Sequence, residues 1–490
     1  MYNQALKTKQ GKYRERVQGK YVSSSADTIV DSINPANGSV FAKVHMASKE
    51  DIELAIASAY IAQKLWAKTT PREKEAVLLR ATEIFERRAD DIRDILIRES
   101  GSTIVKCNFE ISIVSDIFRV AAGEARRVTG QTFVSNDDGV FSYAIRRPRG
   151  VIAGISPFNA PMILSSKKFA FAIAAGNSFV LKPSSNTPVC GLVFGEIMQE
   201  AGLPAGVLDI IPCSSSVLGE TFQEDKRISM ITFTGSTKVG RHIAQSAAKN
   251  MKKCTLELGG KSPVLVLEDA DVSYAIDTAF FGIFMHQGQI CMAGSRIIVH
   301  EKIYDDFVSK FTEKVKFLQV GDPTDARTVI GPLIERKQCE FIDDLVIDAK
   351  KKGVCVLTGG TSENNFYMRT TVADVTPSMK IFSTEAFGPV AAIIKARDLD
   401  EAIELANSTD YGLSATVITQ NVANYLRCAE EIETGVLHVN GPSLQDEAHI
   451  PFGGVKMSGL GREGGHFSIE EMTELKWITV EGIGNHKYPF

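Results

Sequence analysis

The segment MHQGQICMAGSR, residues 285–296, carries a single cysteine, Cys291, among small and glycine residues, with no second cysteine near enough to pair with it. A lone thiol in such a stretch is either an inert packing atom or a nucleophile. An ordinary thiol is only about 3% thiolate at pH 7, so a catalytic one needs a helix terminus, a cation or a base beside it. Thirty-four residues upstream, Glu257 closes an apolar run in CTLELGGKSP. It reads either as an exposed strand-end charge or as a general base in a dry site, where burial raises a carboxyl pKa toward neutrality. Asn159, in ISPFNAP, is either a turn residue or a side-chain amide donor. Lys182, before Pro183 and Ser184, is either solvated or a cation that grips ribose or phosphate. Gly235-Ser236 opens a helical stretch after MITFT, which is a generic anion site and equally an ordinary helix cap. His286, five residues before Cys291, invites a Cys–His hydrolase reading, but the neighbouring elements are of nucleotide-binding type.

Those elements are β-rich runs alternating with helix-length segments from Gly150 onward: VIAGI (151–155), SFVL (178–181), VLDII (207–211), MITFT (230–234) and CTLEL (254–258). The connections LSSKKFAFAIAAG, PVCGLVFGEIMQEAG, VLGETFQED and TKVGRHIAQSAAKN are helical in pattern. Such alternation predicts parallel βαβ units with helices on both faces and ligands beyond the strands' carboxyl ends. The candidates fall there, in loops rich in Gly, Pro, Ser and Thr. A second alternating run starts near Pro263 and predicts a second α/β domain over roughly 258–440. Ser48–Asp51 and Thr70–Glu73 read as capping boxes, the latter with Pro71 at the first helical position. ELKWITVEG, near the C-terminus, is a strand in need of a sheet, and a neighbouring subunit could supply one. The glycine pattern excludes two nucleotide motifs. No G-x-G-x-x-G follows a strand, and Arg241-His242 replaces the Lys-Ser/Thr that a P-loop requires after Gly240.

The chain of 490 residues, 44% hydrophobic and 23% charged, is ordinary for a soluble protein of two to three domains. A formal charge of −4 gives no reason to expect nucleic acid or an acidic membrane as partner. The N-terminal MYNQALKTKQGKYRERVQGKYV has no apolar core of a secretory leader, and no run approaches membrane-spanning length. The eight cysteines form no C-x-x-C pair and none has His at zinc-like spacing. The expectation is a cytoplasmic protein with free thiols and no metal.

Over essentially its whole length the chain resembles the aldehyde dehydrogenase superfamily. The segments that carry the likeness, in the family's order, are PFNAP (157–161), LKPS (181–184), FTGSTKVG (233–240), LELGGKSP (256–263), GQICMAGSR (288–296), EAFGPV (385–390) and PFGGVKMSG (451–459). The resemblance implies an α/β fold: a Rossmann-like parallel-sheet cofactor domain (1–124 and 147–257), a second α/β catalytic domain (258–440), β oligomerisation segments (125–146 and 470–490) and a C-terminal return segment (441–469). It implies Cys291 as nucleophile, Glu257 as base and Asn159 with the Cys291 backbone N–H as oxyanion hole. It further implies cofactor contacts from Ile155, Lys182, Ser184, Ser185, Gly235, Ser236, Leu258, Glu385 and Phe387. The thiolate would add to an aldehyde, the thiohemiacetal would give hydride to NAD or NADP, and Glu257 would activate the water that cleaves the thioester. A homodimer or homotetramer is expected.

Two positions depart from the family pattern. Ser185 stands where NAD-preferring members often carry Glu, so acceptance of NADP, or preference for it, is expected, because a carboxylate would repel a 2′-phosphate. Cys213, in IIPC, stands where glycine is common and would crowd the adenine. FMHQGQICM and HVNGPSLQDEAHIPFGGVK look most like the vanillin, benzaldehyde and salicylaldehyde branch. The expected substrate wall is Leu164, Met285, Ile290, Met292, Ile450 and Phe452, with no Arg or Lys to take a carboxylate. The competing readings are a broad aliphatic aldehyde dehydrogenase, a cofactor-independent thioester or ester hydrolase, and a non-enzymatic protein that kept the fold.

Overall fold

The computed structural model describes residues 28–483, residues 488 and 490, and the backbone of three short strands, Lys12–Tyr13, Glu15–Val17 and Lys20–Val22. The N-terminal stretch judged to lack a leader lies largely outside the described residues, as do 484–487 and 489 of the expected 470–490 segment.

Two large sheets carry the architecture. The first has eight strands, in the order Gly459–Leu460, Lys253–Glu257, Ile228–Thr234, Val151–Ile155, Ser178–Lys182, Leu208–Ile210, Glu15–Val17, Lys20–Val22. The five strands from Lys253–Glu257 to Leu208–Ile210 are mutually parallel. Chain order reverses at Val151–Ile155, which has Ser178–Lys182 on one side and Ile228–Thr234 on the other. Such a reversal opens a crevice at the strands' carboxyl ends. Register aligns Ile155 with Lys182 and Thr234 with Glu257, so one sheet edge presents these residues together. The second sheet has seven strands and is parallel except for Val356–Thr358 at its edge.

Local signals and observed elements agree closely in the first helices. Ser48 and Thr70 each accept from the backbone N–H three residues on, and Asp51 and Glu73 bond back to the cap residues. The predicted helical stretch VLGETFQED is instead two single turns, Ser215–Leu218 and Thr221–Glu224. They are broken at Gly219, whose φ of 52° and ψ of −130° cannot continue a helix. Strand Thr473–Val480 pairs antiparallel with Phe141–Pro148 of its own chain, from Thr473 opposite Pro148 to Val480 opposite Phe141. Its sheet is therefore supplied within the subunit. No helix among the described residues is long and apolar enough to cross a membrane.

Helices Pro161–Ala174 and Pro188–Glu200 pack against the first sheet, and neither N-cap residue makes a side-chain cap bond. Buried helix N-termini leave amide donors that must find partners. Two buried carboxylates from the layer of helices in front supply them. Glu110 accepts from Met162 and Ile163 N–H at 2.7 and 3.2 Å, and Glu99 accepts from Val189 and Cys190 N–H at 3.0 and 2.8 Å. Burial lifts the Glu99 carboxyl to about 7 against the opposing pull of these bonds. Glu110 also pairs with buried Lys106. Replacing Glu110 with Ala orphans that ammonium and two amides. The expected cost is about 3–5 kcal/mol, read as a lowered urea midpoint, since removing one partner of a buried pair leaves an uncompensated charge.

Candidate active site

Helix Val272–Phe284 ends at Met285, and the chain then turns through three left-handed residues, His286 (φ 49°), Gln287 (φ 57°) and Gly288 (φ 72°). Left-handed conformations at His and Gln cost roughly 1–3 kcal/mol each and persist only where the surroundings over-determine them. Here the Gln287 amide donates to Gly101 O at 3.1 Å and Pro332 O at 2.9 Å, and Gln289 Oε1 accepts from Ile334 N–H at 3.0 Å. The turn thus ties three segments and sets down Cys291. A Cβ on Gly260 would lie 2.2 Å from the Cys291 carbonyl oxygen, so only glycine lets the strand-end loop meet the cysteine loop this closely.

Cys291 and Asn159 line two cavities at once. One runs along the sheet edge past Gly235, Ser236, Leu258, Glu385 and Phe387. The other is walled by Leu164, Met285, Ile290, Met292 and Phe452 among other apolar side chains. Five of the six expected wall residues therefore meet around the thiol. Ile450 does not line the cavity; it precedes Pro451 in a turn closed by Phe452 N–H on the Ile450 carbonyl at 3.0 Å. Sequence reading missed Phe109, Ile113, Phe281 and Leu444, and it missed two charged residues, Lys106 and Asp446. Two charged residues thus stand in an otherwise apolar lining. Asp446 stands inside the quoted HVNGPSLQDEAHIPFGGVK, where its charge was a visible signal.

The cofactor-type residues spread along the same edge. Glu385 Oε1 accepts from Gly260 N–H at 3.0 Å, and burial raises its carboxyl to about 7. Phe387 is left-handed (φ 49°) and meets Phe158 edge-to-face at 5.9 Å. Ser236 caps helix Thr237–Ala248, with Val239 N–H 3.5 Å from its Oγ. Lys182 is buried, donates to Pro183 O at 3.3 Å, and has its pKa lowered by desolvation. Ile155, Ser184 and Ser185 lie further along the edge, outside both cavities, with Ser185 exposed and its Oγ donating to Cys213 O at 3.5 Å. Cys213 itself is buried in an apolar cluster with Ile52, Val180, Ile211 and Leu218, so its side chain serves as core packing. The edge suits a dinucleotide. A Cβ on Gly235 would stand 2.5 Å from the Phe233 ring and one on Gly259 2.6 Å from Glu385 Oε2, so both glycines keep this wall of the cleft open.

Electrostatics at the thiol are set by burial and by acids. Cys291 is half-buried, its open surface belonging to the cavities. Desolvation, then Glu385 and Glu257, push the thiol well above its usual range, against a hydrogen bond from Met292 N–H. His286 is fully buried and held neutral by desolvation, and the groups that act on the thiol are carboxylates. Glu257 lines neither cavity. It is buried, makes no side-chain hydrogen bond among the described residues, and is raised well above the carboxylate range by burial and then by Glu463. Glu463 is in turn held by Lys168 Nζ at 2.7 Å and Thr232 Oγ1 at 2.9 Å. A Cβ on Gly453 would fall 2.9 Å from Glu257 Oε1, so that glycine leaves the carboxyl room.

The chain that carries this cysteine matches known proteins over nearly its whole length. The sequence model of the Aldehyde dehydrogenase family matches residues 21–478. A benzaldehyde dehydrogenase of Bacillus subtilis is 40% identical, covering 96% of this chain and 97% of its own length. A vanillin dehydrogenase of Amycolatopsis is 43% identical over 92% of this chain and 93% of its own. The crystal structure of a salicylaldehyde dehydrogenase from Pseudomonas putida G7, complexed with salicylaldehyde, superposes with a TM-score of 0.95 at 36% identity, covering 97% of this chain and 99% of that one. The chain belongs to the aldehyde dehydrogenase family.

Proposed function

We propose that the protein oxidises an aromatic aldehyde to its carboxylic acid through a covalent bond to Cys291, with NADP accepted alongside or ahead of NAD. One observation carries this reading: Cys291 and Asn159 are shared by the apolar cavity and the sheet-edge cleft, so a substrate carbonyl and a cofactor can meet at one sulfur. The names of the relatives support the aromatic class.

On this reading the Cys291 thiolate adds to the carbonyl, and the Asn159 amide with the Cys291 backbone N–H holds the oxyanion. Bound NAD(P) supplies the hydride acceptor. Lys182 and Ser185 hold the adenosine ribose side, the helix start at Ser236 the pyrophosphate, Glu385 the nicotinamide ribose and Phe387 the ring; Ile155, Ser184, Gly235 and Leu258 complete the wall. Glu257 activates the water that releases the acid. Since Glu257 lines neither cavity, this step needs its side chain to swing toward Cys291 from the space beside Gly453. Residues 1–124 and 147–257 serve as the cofactor domain, 258–440 as the catalytic domain, and 441–469 as the return segment, whose Gly459–Leu460 strand pairs with Lys253–Glu257. The segments 125–146 and 470–490 join subunits into a dimer or tetramer. The exposed Leu475, Trp477 and Val480 on an edge strand support that assignment.

A kinetic panel of benzaldehyde, vanillin, hexanal and succinic semialdehyde with each cofactor tests the reading. The expected kcat/KM is highest for an aromatic aldehyde and no more than about tenfold lower with NADP than with NAD, about 1.4 kcal/mol. Best turnover of succinic semialdehyde overturns the substrate class. An NAD advantage above tenfold overturns the cofactor reading.

A further inference from the structure

Two charged side chains reach the apolar cavity, and each is already paired inside the protein. Lys106 is paired with Glu110, which is spent on a helix N-terminus. Asp446 receives Lys167 Nζ on both carboxylate oxygens, at 2.8 and 2.7 Å. Lys167 is 1% exposed and Asp446 11%. Each carboxylate oxygen has two lone pairs, and Lys167 covers one on each. No other hydrogen bond to Asp446 is formed among the described residues, so acceptor capacity remains on a side chain that lines the cavity. The same ammonium stands 4.4 Å from the ring centre of Phe452, another wall residue. Lys167 lies on helix Pro161–Ala174, which begins two residues after Asn159 and also carries Leu164. The acceptor is therefore anchored to the helix that follows Asn159.

We propose that Asp446 is a specificity-determining residue that selects aromatic aldehydes bearing a ring hydroxyl, by accepting a hydrogen bond from that hydroxyl. The proposal rests on the aromatic reading above. A neutral O–H can use the free lone pairs without disturbing the Lys167 pair. A substrate carboxylate would face like charge, and an ammonium would compete with Lys167. An apolar cavity makes the discrimination sharp, because the substituent finds few other partners there, and a site that hydrogen-bonds a hydroxyl penalises analogues lacking it.

The test compares kcat/KM for benzaldehyde, hexanal, the three hydroxybenzaldehyde isomers and their methoxy counterparts, at a pH that keeps the phenols protonated. The methoxy compounds match or exceed the hydroxyl in size but have no donor. The enzymes are the wild type, Asp446→Asn, and a double variant, Asp446→Leu with Lys167→Met, which removes the pair together and leaves no orphaned ammonium. In the wild type at least one hydroxy isomer should exceed both its methoxy counterpart and benzaldehyde by about tenfold or more. That advantage should shrink by about fivefold in Asp446→Asn and vanish in the double variant, mainly through KM. Purely structural damage would lower all substrates alike and leave the ratio standing, which counts against the proposal. Equal turnover of hydroxy, methoxy and unsubstituted rings by the wild type overturns it, as does an advantage that survives the double variant. If hexanal outperforms benzaldehyde in the wild type, the aromatic reading itself fails, a result distinct from loss of the hydroxyl preference alone.

Discussion

Replacing Cys291 with Ala lowers aldehyde oxidation by at least about 10⁴-fold, while NADP binding, followed by fluorescence titration, persists. Loss of an attacking atom removes the whole covalent route rather than one favourable contact, so the penalty is of the size seen for nucleophile deletions. The groups proposed to bind the cofactor, from Lys182 to Ser236 along the sheet edge and at Glu385, do not include the sulfur. Serine at 291 should do little better, since a hydroxyl is far less acidic than a thiol in a site whose neighbours Glu385, Glu257 and Asp446 all oppose an anion. For the same reason wild-type acylation should speed up as pH rises, because the buried thiol starts protonated.

Replacing Glu257 with Gln slows release of the acid by about 10²–10⁴-fold, the usual worth of a positioned general base. Acylation is impaired less, so a burst of NAD(P)H followed by near-arrest is expected in rapid-mixing measurements at 340 nm. The wild-type hydrolytic step should also gain rate with rising pH. Burial and Glu463 hold the Glu257 carboxyl well above its ordinary range, and only its ionised form can take a proton from water. The Gln variant has no such carboxyl, so its hydrolytic step should lose most of that gain. An unchanged pH profile with an unchanged burst would remove Glu257 from the mechanism.

Much of this arrangement is legible in the sequence because it depends on local chemistry. Ser48 and Thr70 cap helices that begin where their capping boxes say, and VIAGI forms strand Val151–Ile155 to the residue. The strand-then-loop rhythm places Asn159, Lys182, Gly235 and Glu257 at one sheet edge, since parallel strands with helical crossovers must end on the same side. What escapes the sequence is set by contacts distant along the chain. Glu99 and Glu110 look like surface charges on amphipathic helices, yet each accepts from helix N-terminal amides 52 or more residues later. Lys106 and Asp446 reach the cavity only because their charges are cancelled by Glu110 and Lys167, and the Asp446 partner lies 279 residues away. The terminal strand is plain from its composition, but nothing local says that Phe141–Pro148 of the same chain completes its sheet. Cys213, which looked like an obstacle to adenine, is buried in one apolar cluster with Ile211 and Leu218.

The most direct measurement is the mass of Glu257→Gln enzyme quenched after mixing with benzaldehyde and NADP, followed by peptide mapping. An acyl group on the peptide containing Cys291, absent when NADP is omitted and absent from the Cys291→Ala protein, is the predicted result. Quantitative benzoate formation with no modified peptide, or an adduct mapped to any other residue, would contradict the account.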